Sequence, residues 1–287
     1  MKTLKFYIQK AYKEKWAIGQ INFSDWSQVR GIVQAAQNLK SPVILGTSEG
    51  ESKFVGLQEA VAMRNAMRKK YSLPIFLNLD HGKTADYLKE AILAGYDMVH
   101  FDGSKLPLDE NILISKKVVA FAKNKGVVVE GEVGRFGTDA SRLYTEKFEI
   151  NEENLTKIDE ATKYVKAAKV NLLAVSIGNF HGLDVSGVSP KLRLKHLQEI
   201  QKAIGIPVVL HGGSGIRPED IKEGIACGIS KININTEVRL AFSQALRKTL
   251  EANKSEITPY KYLNESIAAA QAVVEEKMKE FGSENKI

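Results

Sequence analysis

The stretch PIFLNLDHG, residues 74–82, is apolar at most positions until it stops on Asp80, His81 and Gly82. Two other runs end alike. LLAVSIGNFHG (172–182) closes on His181, and IPVVLHGGSG (206–215) closes on His211 and its glycines. Each reads as a short strand, because a buried parallel strand is a nearly continuous apolar run. The chain has only five histidines, so three at equivalent strand ends form a pattern. Three neutral imidazoles that leave a fourth position open make a catalytic zinc arrangement. Residues so far apart can meet this way only if the strands run parallel and converge at their C-terminal ends.

The rest of the chain fits that demand. Further β-rich runs are WAIGQINF (16–23), PVILGTS (42–48), MVHFD (98–102), VVVEGEV (127–133) and SKININT (230–236), which makes eight with the three above. Between them lie stretches of helical periodicity at 26–39, 57–70, 85–94, 111–125, 157–168, 192–203 and 218–227. Strands alternating with helices argue for βαβ units. Eight such units predict an α/β fold, a (β/α)8 TIM barrel. A doubly wound open sheet is the competitor, but it would bind its ligand at one switch point. Here polar residues end nearly all eight runs, which favours closure. After strand eight, 238–253 reads as a helix. Thr258-Pro259 then starts another over 262–281, with Gly282 suited to its stop. The expectation is a single TIM-barrel domain over 1–287, with a C-terminal helical extension at about 255–282 that packs on a partner subunit or covers the barrel base.

Composition agrees with a soluble, cytoplasmic enzyme. The chain has 287 residues, 44% of them hydrophobic and 26% charged. Its single cysteine, Cys227, excludes an internal disulfide and a cysteine-based zinc site; packing is its expected role. The first sixteen residues lack the apolar core of a signal peptide, and no run approaches the ~20 apolar residues of a membrane span. Net charge is +7, yet Lys and Arg alternate with Glu, as in VVEEKMKEF (273–281). That is a solvated surface, and no basic block with interleaved aromatics points to nucleic acid. A basic enzyme that attracts phosphorylated metabolites accounts for the charge.

Several positions carry candidate chemistry. Asp80 beside a metal-binding His81 pairs a general acid/base with a Lewis acid. Its plainer reading is a cap for the following helix, since Gly82-Lys83-Thr84 opens a turn. Asp102 and Glu132, also at strand tips, suit a second metal or the ordering of the first ligands; charge balance with Lys105 or Arg135 is the alternative. The Gly212-Gly213-Ser214-Gly215 turn runs into a helix at Pro218 and offers N–H groups to an anion. Barrels often build a phosphate site from the loops after strands seven and eight, and Asn233-Ile234-Asn235-Thr236 ends strand eight. His100 reads as a core histidine and His196 as a surface one.

Taken in order, LDHG (79–82), FDGS (101–104), EGEVG (130–134), GNFHG (178–182), LHGGSG (210–215) and KININT (231–236) resemble the class II, zinc-dependent ketose-bisphosphate aldolases of the fructose- or tagatose-bisphosphate type. The resemblance covers nearly the whole chain. It implies that His81, His181 and His211 hold a catalytic Zn2+ and that Asp80 is the proton donor and acceptor. It implies that Asp102 and Glu132 match positions able to hold a second divalent ion. It also implies that Gly182, Gly212, Gly213, Ser214, Asn233, Asn235 and Thr236 bind dihydroxyacetone phosphate, with a Na+ or K+ near its phosphate, and that the protein is a homodimer or higher homo-oligomer. The implied reaction is reversible cleavage of fructose 1,6-bisphosphate to dihydroxyacetone phosphate and glyceraldehyde 3-phosphate.

The chain departs from the family pattern on the aldehyde side. Gly46 stands where the family usually has Gln, although Ser48 matches its phosphate-contacting serine. Ser24-Asp25 replaces an Asn-Asn pair. The mobile loop keeps one acid, Asp139. Thr258-Pro259-Tyr260 lacks the family's arginine, with Lys261 the nearest substitute. An acceptor without phosphate, a tagatose-bisphosphate or deoxy-sugar relative, a zinc-hydroxide hydrolase and a non-catalytic phosphosugar-binding barrel are the competing readings.

Overall fold

In the computed structural model, which describes residues 2–136, 138, 142–187 and 189–287, eight parallel strands form a closed barrel in chain order. They are β1 (Ile18–Asn22), β2 (Val43–Ser48), β3 (Ile75–Gly82), β4 (Met98–Phe101), β5 (Val128–Val133), β6 (Leu172–Val175), β7 (Val208–Leu210) and β8 (Ile229–Ile234). Closure is made by β1 pairing with β8, Ile18 opposite Lys231 and Gln20 opposite Asn233. Helix α1 (Leu4–Glu14) precedes the barrel, and α2 (Trp26–Asn38) follows β1. Then α3 (Glu49–Val55) and α4 (Leu57–Tyr71) follow β2, and α5 (Ala85–Ala94), α6 (Leu108–Lys123) and α7 (Ile158–Ala168) follow β3, β4 and β5. Beyond β6, β7 and β8 come α8 (Leu194–Ile204), α9 (Pro218–Ala226) and α10 (Thr236–Ala252), and the chain ends in α11 (Pro259–Tyr262) and α12 (Asn264–Glu280).

Local chemistry explains the boundaries. Asp25 caps α2, its carboxylate accepting the N–H of Gln28 at 2.8 Å, so the Ser24-Asp25 departure serves a helix start. Ser48 and Glu51 form a reciprocal capping box on α3. Pro218 opens α9, where a missing N–H costs nothing. Among the described residues, no helix is long and apolar enough to cross a membrane.

The barrel interior changes character along its axis. At the base, Ile18, Ile44, Phe76, Met98, Val128, Leu172 and Val209 form a dry cluster with Leu4, Tyr7, Ile8 and Ala11 of α1. Helix α1, not legible in the sequence, is therefore the plug of the barrel base. Above this layer the inward side chains turn polar: Gln20, Asn78, His100, Glu130 and Lys231 are all fully buried. They are paired, as burial of such groups demands. Asn78 Nδ2 donates to Gln20 Oε1 at 2.8 Å, and Lys231 Nζ lies 2.8 Å from Glu130 Oε2.

Helix α12 does not cover the base. It lies on the outer layer of its own chain, against α2 and α10, burying Ile267, Ala270, Val274 and Met278. Gly31 of α2 permits the approach, since a Cβ there would meet the carbonyl oxygen of Ile267 at 2.9 Å. At the base, the Phe76 ring packs on Tyr7 of α1, centroids 5.8 Å apart. Phe76→Ala should cost about 3–5 kcal/mol through the cavity it leaves, read as a lower urea midpoint.

Candidate functional site

All eight strands end at one mouth, where a cavity of about 880 Å³ opens. Its wall includes Asp80 and His81 from β3, Asp102 after β4, Glu132 from β5, His181 after β6, His211 after β7 and Asn233 from β8. The structure thus gathers the three histidines with the three acids. Ring centroids of His81 lie 4.9 Å from His181 and 4.7 Å from His211.

The strand ends are not equivalent. His81 lies within β3, but with φ 51°, in the left-handed region rarely used by non-glycine residues. The β3–β4 register shifts between Leu79 and Gly82. Regular alternation would send Asp80 and His81 to opposite faces; this irregularity brings both to the cavity. His211 follows the last residue of β7 directly. His181 does not close β6, which stops at Val175. It is carried on a loop that Gly178 (φ 92°) and Gly182 (φ 94°) turn back over the mouth.

Each of two imidazoles is held by a carboxylate on one nitrogen. His81 Nδ1 sits 3.0 Å from Asp102 Oδ2, and His211 Nε2 sits 2.7 Å from Glu130 Oε1. Their remaining nitrogens, His81 Nε2 and His211 Nδ1, face each other at 3.0 Å. Asp80, His81, His100 and His211 offer ligand atoms within 4.8 Å of one another, and His81, Asp102 and Glu132 form a second such group. This cluster could hold a metal ion. His181 approaches it by ring contact.

His100 is the core histidine expected, fully buried, and it also touches the site. Its Nδ1 accepts the main-chain N–H of His81 at 3.1 Å, and its Nε2 lies 3.1 Å from Glu132 Oε2. Burial disfavours a charge there, while Glu130, Asp80 and Glu132 lift its pKa well above the usual value. The available signal was its position two residues before Asp102, on the same inward face. His196 is half-buried, its Nε2 2.7 Å from the carbonyl oxygen of Thr156, and so is not a plain surface residue.

Asp80 is gripped from two sides. Asn22 Nδ2 donates to its Oδ2 at 3.0 Å and Asn233 Nδ2 to its Oδ1 at 3.1 Å. It does not cap the following helix, because Thr84 does. Burial opposes its ionisation, yet His81, the His100 contact, His211 and Lys231 hold its carboxyl well below the usual range. Burial, His81 and His211 push His181 well below the ordinary imidazole value. Burial outweighs Glu130 and pushes His211 down to about 4. Both rings are neutral at neutral pH, with a lone pair available. His81 is lifted despite burial, by Asp80 and Asp102. A Cβ at Gly46 would stand 2.0 Å from Asn22 Oδ1, so a larger residue there would displace the side chain that holds Asp80.

The β7–β8 side suits an anion. Gly212, Ser214, Asn235 and Thr236 line it beside the start of α10, whose free N–H groups favour negative charge. Gly212 has φ 62°, and a Cβ there would lie 1.9 Å from the Phe180 carbonyl oxygen, so only glycine fits. Gly213 is not among the lining residues; its N–H donates to Asn233 O at 3.0 Å. Behind the turn, Glu237 Oε1 accepts the Gly215 N–H at 2.8 Å, and Lys277 of α12 reaches Glu237 Oε2 at 3.4 Å. Helix α12 therefore braces this loop. Phe136 lies over the imidazoles, stacked on His211 at 5.3 Å. Asp139, the expected loop acid, lies outside the described residues. Lys261 does not line the cavity; it pairs with Glu256 at 3.1 Å, and Tyr260 is 72% exposed.

Comparison with known proteins gives concordant results. A family model described as "Fructose-bisphosphate aldolase class-II" matches residues 2–286. A Bacillus subtilis (strain 168) protein named "Probable fructose-bisphosphate aldolase" is 38% identical over 281 residues, covering 97% of this chain and 96% of the relative. A "6-phospho-5-dehydro-2-deoxy-D-gluconate aldolase" of Shouchella clausii (strain KSM-K16) is 37% identical, covering 97% and 94%. Among solved structures, the YdjI aldolase of Escherichia coli K12 superposes with TM-score 0.82 at 28% identity, over 100% of this chain and 99% of that one.

Lys277→Met should leave the Glu237 carboxylate without its buried cation. The expected cost is about 1–3 kcal/mol, measured as a lower denaturation midpoint, with faster amide exchange at Gly215.

Proposed function

The chain belongs to the class II fructose-bisphosphate aldolase family and is an aldolase, a carbon–carbon lyase; from that premise we propose that it cleaves a ketose 1-phosphate reversibly into dihydroxyacetone phosphate and an aldehyde, using Zn2+ at His81, His181 and His211. The observation that carries this reading is the 3.0 Å approach of His81 Nε2 to His211 Nδ1, each ring backed by a carboxylate. Two nitrogens bound to one tetrahedral zinc stand about 3.3 Å apart, so the present pair needs only a small adjustment. Carboxylate-backed histidines are the usual support of such ligands. Asp102 and Glu132 are the candidates for a second divalent ion, their carboxylates converging on His81 Nδ1 at 3.0 and 3.8 Å.

Bound zinc would act as a Lewis acid for the negative charge that develops on the donor half when the C3–C4 bond breaks. The chain's own groups do the rest. Asp80, ionised and held between Asn22 and Asn233, takes the C4 hydroxyl proton in cleavage and returns it in condensation. The donor phosphate sits on Gly182, Gly212, Ser214, Asn233, Asn235 and Thr236, with Gly213 setting the turn. Asn235 Oδ1 is buried without a partner at this place and suits a substrate hydroxyl. Phe136 over the imidazoles keeps water from the reacting centre.

Fructose 1,6-bisphosphate is the substrate that the family motifs favour, with Ser48 at the far phosphate. One observation favours a second reading, an aldehyde without phosphate: no arginine enters the cavity from the segment before α12, where Tyr260 is exposed and Lys261 is engaged by Glu256.

Chelation should abolish turnover, and Zn2+ or Co2+ should restore it, as followed by release of dihydroxyacetone phosphate. Borohydride with substrate should leave the protein unlabelled; a trapped lysine adduct would reject the mechanism. His81→Ala should lose metal on dialysis. Asp80→Ala should keep metal and lose about 10²–10⁴ in kcat, and wild-type turnover in that variant would remove its assigned role.

A further inference from the structure

On the β1–β2 side of the mouth, three groups that could grip an anion are already taken by one of the chain's own. The Ser48 N–H donates to Glu51 Oε2 at 2.7 Å, and Asn22 Nδ2 donates to the same oxygen at 3.1 Å. The Arg239 guanidinium pairs with Glu51 Oε1. Ser48, Asn22 and Arg239 all line the cavity, whereas Glu51 is 6% exposed and lies behind them. An amide N–H, a side-chain amide and a guanidinium around one carboxylate make the donor set of an anion site. Here the anion is internal.

A second carboxylate stands at the same end. Glu49 lines the cavity, with Oε1 accepting the Lys83 N–H at 2.7 Å. Lys83 itself is an exposed rim residue, where water screens its charge. A terminal phosphate arriving here would find these three donors already held by Glu51 and the Glu49 carboxylate on the wall beside it, which disfavours a second anion. A hydroxyl would find polar groups it can hydrogen-bond without bringing charge.

We propose that Glu51 is a specificity-determining residue that reserves this end of the cavity for uncharged, hydroxylated aldehydes. The proposal rests on the aldolase reading and names the class of aldehyde that the site takes. Asp80 lies one hydrogen-bonded residue away, through Asn22, so the end in question is next to the bond that forms.

The test is condensation of dihydroxyacetone phosphate with paired aldehydes, D-glyceraldehyde against D-glyceraldehyde 3-phosphate and D-erythrose against D-erythrose 4-phosphate. The quantity read is the ratio of kcat/KM within each pair, for the zinc-loaded wild type, Glu51→Ala and Glu51→Gln. A ratio within one enzyme cancels any general loss of turnover. Glu51→Gln keeps the helix cap while removing the charge, so it guards against a folding defect in the alanine variant. The wild type should prefer the unphosphorylated aldehyde. Both variants should shift the ratio toward the phosphorylated one by about ten- to hundredfold, the worth of one regained charge-assisted hydrogen bond, with the change in KM. A wild type that prefers the phosphorylated aldehyde, or a ratio that neither variant moves, overturns the proposal. The aldolase reading fails differently: the wild type would neither exchange a donor C–H proton with solvent nor condense any aldehyde, and the proposal would fall with it.

Discussion

Parallel closure of β1 on β8 is the constraint from which the site follows. With every strand running the same way, all C-terminal ends share one rim, and residues as distant as Asn22 and Asn233 can hold opposite oxygens of Asp80. An open sheet would have placed β1 and β8 at separate edges. The same closure makes the interior a narrow shaft that must be filled by side chains. The base is filled by apolar residues and sealed by α1, and this dry layer lets the polar groups above it gather at one end only.

Those polar groups are costly to bury, and their pairing shows how the cost is met. Glu130 touches both Lys231 and His211; Lys231 also donates to Asn233 at 2.7 Å. One buried carboxylate therefore links a fixed cation, a candidate ligand and the amide that holds Asp80. Buried ion pairs seldom add much stability over apolar packing. Their contribution here is orientation: His81 and His211 are each left with one nitrogen committed to a carboxylate and the other facing its partner ring. His81 carries a further constraint, since its left-handed backbone and its N–H contact to His100 direct the ring. Such backbone geometry persists when the surroundings overdetermine it.

The outer helices reach the mouth as well. Lys277 of α12 acts through Glu237 on the Gly215 N–H, so the last helix of the chain supports the glycine turn from outside the barrel. Glu51 is at once the third residue of a capping box and the partner of Arg239, so a local helix start and the far wall of the cavity share one side chain.

The sequence by itself determined the barrel, because short apolar runs alternate with stretches of helical periodicity eight times, and it singled out His81, His181, His211 and Asp80 as candidates, although His181 is carried on a loop beyond the end of β6. The bounds of α5 and nearly those of α2 were legible from helical periodicity, whereas their caps, Thr84 and Asp25, were not. Helix α1 was not, since its partners are the inward residues of strands far along the chain. Nor were the roles of His100, Glu130 and Lys231, which sit inside strands where a linear pattern gives no sign of which buried groups will pair. Glu51 and Arg239 are 188 positions apart, and their contact exists only once the ring closes. Periodicity is a property of neighbours along the chain. Which charges neutralise one another is settled by distances across it, and only the closed tertiary structure sets those.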